Sequence, residues 1–244
     1  MVEKLIYLLV RPVETERRAF TPRLLEAGRA MLALDPKGLR VNVQDAAVDW
    51  GEASDHHPAL GRVSPHGPFE AVVQLWLDDI SAPARAPYEA LMGAVASAAH
   101  GYHVAERLLV TDLLQGARPG GRNDGYSQMA MLQIPARLTR EAWLSAWQDR
   151  HTWVALSIHP HLEYIQNVVL NAVTEGAPPV AGFGEEAFPM AGLHDERPLF
   201  PRASSEADYK ALYQVMYDDA ARFIDFDRLD MLVSSQFDLR PVAR

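Results

Sequence analysis

The 244-residue chain contains no cysteine. That excludes disulfides, thiol nucleophiles and thiolate metal sites together. Basic residues are in deficit, with 23 Lys and Arg against 32 Asp and Glu and a formal net charge of −9. Such a balance is poorly suited to neutralising phosphates, so no nucleic-acid partner is expected. Long apolar runs are also missing. The run Leu5 to Val10 stops at Arg11-Pro12, far short of a membrane span, and no small-residue cleavage site follows it. The expectation is a cytoplasmic protein with no membrane partner. What remains is an ordinary globular composition, 48% hydrophobic and 23% charged, on a length that suits one large domain or two of about 120 residues.

A coarse internal repeat divides that length in two. Strand-like Leu5 to Pro12 has a counterpart in Met129 to Ala136, and each is followed by a Thr and a helical pattern, Thr15 to Leu34 and Thr139 to Ile158. Further strand-like runs follow at Leu39 to Val48 and Phe69 to Leu77 in the first half, and at Leu162 to Val173 and Phe183 to Leu193 in the second. A second helix comes next, Pro87 to His100 and Ser205 to Phe223, and each half closes on a strand, Leu108 to Leu114 and Leu229 to Phe237. The element order is β-α-β-β-α-β twice, the ferredoxin-like arrangement. Turn formers over 117–125 mark a linker, giving an N-terminal unit at 1–116 and a C-terminal unit at 126–244.

A unit of this kind covers one face of its sheet with helices and leaves the other bare. The expected fold is therefore α+β, two tandem units packed sheet to sheet, with a ligand cavity between the sheets. In the second half, Leu162, Tyr164, Val168 and Leu170 alternate with Ile165 and Val169, as a strand buried on both faces requires.

The chemistry-bearing residues concentrate between Glu141 and Asn171. At 100° per residue, Trp143, Trp147, His151, Val154 and Ile158 share one helix face about 80° wide. His151 is then either a satisfied core histidine or a proton-transfer group at the cavity edge. On the following strand Tyr164 and Gln166 point one way and Asn167 the other, so they cannot all face one cavity without a bulge. Tyr164 or Asn167 could hydrogen-bond a substrate oxygen, or pair with backbone.

Trp147 and His151 in a Trp-x-x-x-His helix, Tyr164 and Asn167 in a Tyr-x-x-Asn strand, and the closing Phe223-Ile224-Asp225 resemble the EthD family. That family belongs to the dimeric α+β barrel group. The resemblance covers mainly 127–240 and, through the repeat, more weakly 3–115. It implies a role near oxidative or polyketide-type breakdown of small organic compounds. His151 would be the acid or base, with Tyr164 and Asn167 orienting the substrate oxygen and Trp147 and Gln166 contacting the substrate. Relatives in the barrel group include cofactor-free monooxygenases, cyclases, lactone isomerases and haem proteins. The tandem form, an intrachain dimeric α+β barrel on this resemblance, departs from the commoner single unit. Aligning the halves places Ala27 opposite His151, so only the second half carries the polar set.

Other groupings are weaker. His159 and His161 flank Pro160 with no obvious carboxylate to complete a metal set, and His56-His57 lies beside Asp55 in a polar stretch. His100 and His103 read as answering a helix C-terminus. Gly182-x-Gly184 lacks the setting of a nucleotide motif, and no Gly-x-Ser-x-Gly elbow occurs. The expected protein is a cofactor-independent, metal-free enzyme for a small hydrophobic oxygenated compound, or alternatively a non-catalytic binder of such compounds. A homodimer is the expected assembly.

Overall fold

The computed structural model describes residues 2–48, 69–113 and 120–242. His56 and His57 lie outside them, as do residues 117–119 of the expected linker. Eight strands and four main helices follow in the order β1 (Glu3–Val10), α1 (Arg17–Met31), β2 (Gly38–Val43), β3 (Ala71–Leu77), α2 (Ala82–Gly93) and β4 (Ala98–Thr111). Then come β5 (Tyr126–Leu132), α3 (140–158), β6 (Glu163–Ala172), β7 (Gly182–Phe188), α4 (Glu206–Ala220) and β8 (Asp230–Arg240).

The strands close into one antiparallel barrel in the order β1-β3-β2-β8-β5-β7-β6-β4. Two seams join the halves. β2 pairs with β8, bringing Arg40 opposite Asp238, and β4 pairs with β6, bringing Glu106 opposite Asn167. The two sheets, expected to pack face to face as an intrachain barrel, hydrogen-bond edge to edge along both seams, and closure removes the edges through which further copies could add.

Alternation along each strand sorts side chains between two environments. Leu5, Tyr7 and Leu9 of β1 face outward onto α1 and α2, where they join Phe20, Leu24 and Met92 in a core. Ile6 and Leu8 face inward and meet Tyr102, Met129, Phe183 and Leu232 inside the barrel. β1 is buried on both sides from Lys4 to Val10, which is why its sequence reads as an unbroken apolar run.

The remainder of the barrel interior is polar and charged, which the sequence reading did not anticipate. Arg40, 1% exposed, donates through Nε to Asp238 Oδ1 at 2.8 Å and through Nη1 to Glu163 Oε1 at 2.7 Å and Glu185 Oε1 at 2.8 Å. Gln74 Nε2 donates to the same Glu185 oxygen at 2.7 Å, and Lys4 Nζ reaches Glu106 at 2.8 Å and Glu185 at 3.6 Å. Where a cavity was expected between the sheets, the described residues place an apolar plug and an ion network.

Several boundaries differ from expectation. The second helix begins at Ala82, before Pro87, because Pro is well tolerated in a first turn and Ser81 precedes it. His100 and His103 consequently lie on β4. There His103 Nε2 stands 2.9 Å from Glu3, and His100 is buried with its ring edge-on to Phe69. On β6, Leu170 is exposed, since double burial ends near Val169.

Within the network, burial pushes the Glu163 carboxyl up; Arg40 opposes this but repulsion from Glu185 and Asp238 leaves it raised. Burial also pushes Glu185 up, yet Lys4, Arg40 and Gln74 more than reverse it. Arg40→Met, which strands three carboxylates, is expected to destabilise the fold by about 3–5 kcal/mol. Glu163→Gln relieves crowding and is expected to cost clearly less. Urea denaturation measures both, and an Arg40→Met chain as stable as the parent would remove the network from any account of stability.

Candidate functional site

The site is built on α3, which opens where Thr139 Oγ1 accepts from the Ala142 N–H at 3.2 Å and Glu141 sits in the first turn. After Arg140–Leu144 the helix widens into a π segment, Ser145–His151, before returning to α form over Thr152–Ile158. A wider turn rotates each residue through a smaller angle. Side chains four apart therefore fall short of a full turn where in α form they overshoot it, and the two offsets oppose each other along α3. Trp143, Trp147 and His151 all remain on the buried face.

The two indoles lie 5.0 Å apart against β7. A Cβ at Gly182 would come within 2.6 Å of Trp147 Cζ3 and 3.0 Å of Trp143 Cη2, whereas at Gly184 the nearest atom is 3.8 Å away. Gly182 thus serves helix–sheet contact. Trp147, 2% exposed, is a core residue and lines no open space.

His151 donates through Nδ1 to Asp219 Oδ2 at 2.9 Å, and Arg150 Nε donates to Asp219 Oδ1 at 2.6 Å. Burial pushes the Asp219 carboxyl up, but these two donors leave it below its usual range. Asp219 is the one buried residue of α4. The helix is pinned by this ionic clamp, with few apolar contacts beneath it. Its tyrosine-bearing face stays half open, with Tyr213 45% and Tyr217 47% exposed.

Beneath α4 lies a cavity of about 250 Å³. Its floor is the outer face of the barrel, from Tyr126 and Gln128 on β5 and Glu186 and Phe188 on β7. Its roof is Tyr213, Met216, Tyr217 and Ala220 of α4, and its ends are His159, Glu196, Phe200 and Phe226.

Pro160 terminates α3 and presents His159 and His161 from one short loop. His159 Nδ1 lies 2.9 Å from the Leu199 carbonyl. A carbonyl only accepts, so Nδ1 carries the proton and Nε2 of the neutral ring carries the lone pair. Burial pushes the His159 pKa down, and its contacts with Leu199 and Glu186 only partly reverse that. His161 Nε2 donates to Glu186 Oε1 at 2.9 Å while its ring stacks on Tyr164 at 4.9 Å. Burial pushes Glu186 up, but the His161 hydrogen bond and the neighbouring imidazoles bring it below the ordinary carboxylate range.

The residues singled out from sequence are separated by this arrangement. Tyr164 and Gln166 lie on the helix-facing side of β6, where Gln166 Nε2 donates to Tyr164 Oη at 2.9 Å and Thr152 Oγ1 at 3.0 Å. Asn167 faces the barrel interior, fully buried, with neither amide atom hydrogen-bonded. His151 stands behind the pocket wall, 4.7 Å from Phe223. The pocket itself holds His159, weighed from sequence only as half of a metal pair, and Glu186, which the sequence reading passed over. The missed signal was Glu185-Glu186 within a strand, since adjacent carboxylates of opposite parity require partners on both faces. Among the described residues, no cluster of three His, Asp or Glu side chains has the disposition of a metal site.

Gly182→Ala, which drives a methyl into two rigid indoles, is expected to cost about 1–3 kcal/mol. Gly184→Ala has room and is expected to be near neutral. Paired urea titrations decide this, and equal stabilities would show that α3 does not depend on close approach to β7.

No family model matches the chain, and no curated protein matches it by sequence. Among solved structures it is similar to an anthrone oxidase-like protein, at 10% identity over 98% of this chain and 93% of that one, with a TM-score of 0.55. It is also similar to a candidate monooxygenase from Lactobacillus acidophilus, at 9% identity over 98% and 94% of the two chains with a TM-score of 0.48. A mutant chlorite dismutase from Candidatus Nitrospira defluvii aligns at 11% identity over 98% and 92%, with a TM-score of 0.46. The likeness to the first of these is one of fold: an α+β chain closed into an eight-stranded antiparallel barrel.

Proposed function

We propose that the chain is a cofactor-independent enzyme acting on a small, hydrophobic, oxygenated ring compound in the pocket beneath α4, with His159 as the proton-transfer group. The observation that carries this reading is a neutral imidazole of fixed tautomer in the wall of an aromatic pocket. Its Nε2 is the lone-pair nitrogen, and burial holds its pKa below the ordinary histidine value of 6.5. A base of this kind can remove a proton from a phenolic hydroxyl or from a carbon activated by a neighbouring carbonyl. Gln128 on the floor supplies an amide to orient the substrate oxygen.

The residues suggested by the EthD resemblance fall into a supporting layer on this reading. His151 holds Asp219 and so the pose of α4 over the pocket. Tyr164 backs the ring of His161, which holds Glu186, and Gln166 orients the Tyr164 hydroxyl. Asn167 belongs to the barrel interior and Trp147 to the helix–sheet core. The volume suits one or two rings and is too small for a haem macrocycle.

The architecture is consistent with a tandem origin, with units at 1–116 and 126–244. Each half runs β-α-β-β-α-β, and each contributes four adjacent strands to the barrel, β4-β1-β3-β2 and β6-β7-β5-β8. The halves differ at one point that matters. On the outer face of the first, Tyr7 of β1 packs with Tyr88 and Met92 of α2 and Phe20 and Leu24 of α1 in a continuous apolar core, while the second keeps a space under α4.

The test is turnover of small hydroxyarenes and anthrones, followed by oxygen uptake and product chromatography. His159→Gln is expected to lower turnover about 10²–10⁴-fold with a melting temperature close to the parent's. His151→Ala is expected to lower the melting temperature as well. The acid limb of the pH–rate profile is expected below pH 6.5, because the fold favours the neutral His159 ring. By the same linkage, this histidine's contribution to stability declines as pH falls from about 6.5 towards its lower folded value. Full turnover by His159→Gln would overturn the assignment.

A further inference from the structure

A proton-transfer role for His159 leaves a second polar group in the same wall without a task. Glu186 stands on the outer face of β7, directly opposite Gln128 of β5 on one side and Tyr164 of β6 on the other, and it lines the pocket floor. One of its oxygens is engaged. Oε1 accepts from His161 Nε2 at 2.9 Å, and among the described residues no hydrogen bond reaches Oε2. The ring that holds it cannot turn away. His161, its side chain 1% exposed, lies parallel to Tyr164 with planes within 11° and tilts against Phe188 at 5.1 Å. Its buried Nδ1 has no hydrogen-bond partner, so the bond to Glu186 is the polar contact that orients it.

His159 and Glu186 therefore offer the pocket atoms of one kind. The Leu199 carbonyl takes the Nδ1 proton of His159, which leaves Nε2 as an acceptor. Burial pushes Glu186 up, but the His161 bond outweighs it and keeps the group a carboxylate, which has no proton to give. Two acceptors in one aromatic pocket set a condition on what enters. A hydroxyl hydrogen satisfies either of them, whereas an ether or carbonyl oxygen set against either brings two lone pairs face to face. An acceptor that gives up water for an unmatched ligand loses its hydrogen bond outright, which costs more than an average bond contributes.

Resting on the reading of this pocket as the ligand site, we propose that Glu186 is its specificity-determining residue and that the ligand is a dihydroxylated ring, with one hydroxyl donating to His159 Nε2 and the other to Glu186 Oε2. His161 is a positioning residue, which stands behind the carboxylate and fixes which oxygen faces the pocket. The site thereby discriminates against monohydroxyl compounds and methyl ethers of the same outline. The two acceptors also divide the work between the hydroxyls. The one at His159 meets the proposed base, and the one at Glu186 anchors the ring.

Calorimetric titration of the full chain compares catechol, resorcinol and hydroquinone, each beside its monomethyl ether, with phenol as the common reference. The tightest diol is expected to bind about tenfold more tightly than its own ether and than phenol. Glu186→Gln keeps the shape of the side chain. Its carbonyl still accepts from His161, which turns the amide nitrogen to the pocket and replaces an acceptor by a donor. That variant is expected to reverse the order and bind the ether at least as tightly as the diol. Glu196→Gln, at the pocket's end where Tyr209 Oη already donates to the carboxylate at 3.4 Å, is expected to keep the parent's preference. Equal affinity of the parent chain for diols and their ethers overturns the assignment, whether or not the variants fold. So does a diol preference that survives Glu186→Gln, or one lost in Glu196→Gln instead; each of these leaves the pocket as a ligand site. Failure of every probe to bind the parent chain overturns the pocket reading too.

Discussion

One guanidinium organises the barrel. Arg40 stands on β2, in the first half of the chain, and its acceptors Glu163, Glu185 and Asp238 stand on β6, β7 and β8, all in the second. A planar fork with five donors can serve three carboxylates at once, which an ammonium cannot do with the same geometry. Desolvating such a set is costly, and its members are tolerable only when all are present. The network therefore rewards one register. Sliding β8 along β2 by one residue would turn Asp238 out of the barrel and leave Arg40 short of an acceptor. Ladder hydrogen bonds alone are indifferent to such a slip.

This arrangement determines where a ligand can go. The interior holds the ion network and an apolar plug around Tyr102, Met129 and Phe183, and the pocket with His159 lies between α4 and the outer face of the sheet. On the first half α1 and α2 pack down and seal that face. On the second, α3 packs down through its indoles while α4 is held off by a point contact between Asp219 and the pair His151 and Arg150. A helix seated by an ionic clamp can stand over a cavity, whereas one seated by a continuous apolar stripe closes it.

The sequence disclosed the elements better than the site. Helix and strand order followed from run length and period, and Thr139 marked the start of α3 because a cap is a local event. The register of β6 separated Tyr164 and Gln166 from Asn167, since parity is also local. Parity does not say which side is the barrel interior, so Asn167 was grouped with groups from which the sheet separates it. His100 was read as helical because Ala94 to Ala99 is rich in good helix formers; pairing of β4 with β1, a contact distant in sequence, overrides that preference. The π segment left no mark in the pattern, because Trp143, Trp147 and His151 share a face in either helical form. His159 was weighed only as half of a metal pair, because the partners that set its role, the Leu199 carbonyl and the pocket rings, come from segments remote in the chain.

The dipeptide Glu185-Glu186 joins these levels. One carboxylate points into the barrel and meets Arg40, Lys4 and Gln74, and its neighbour points out and meets His161 at the pocket floor. Consecutive strand residues share a peptide plane and cannot shift independently, so the ion network that sets the register of β7 also fixes the depth at which Glu186 reaches the pocket. The same strand brings Gly182 beneath the indoles of α3, whose C-terminal end presents His159. Position of the proposed base and charge of the pocket floor are thus both referred to β7. A change that loosens the barrel network should reach the pocket through that strand before it reaches the first half, where the helices rest on apolar contacts that need no such alignment.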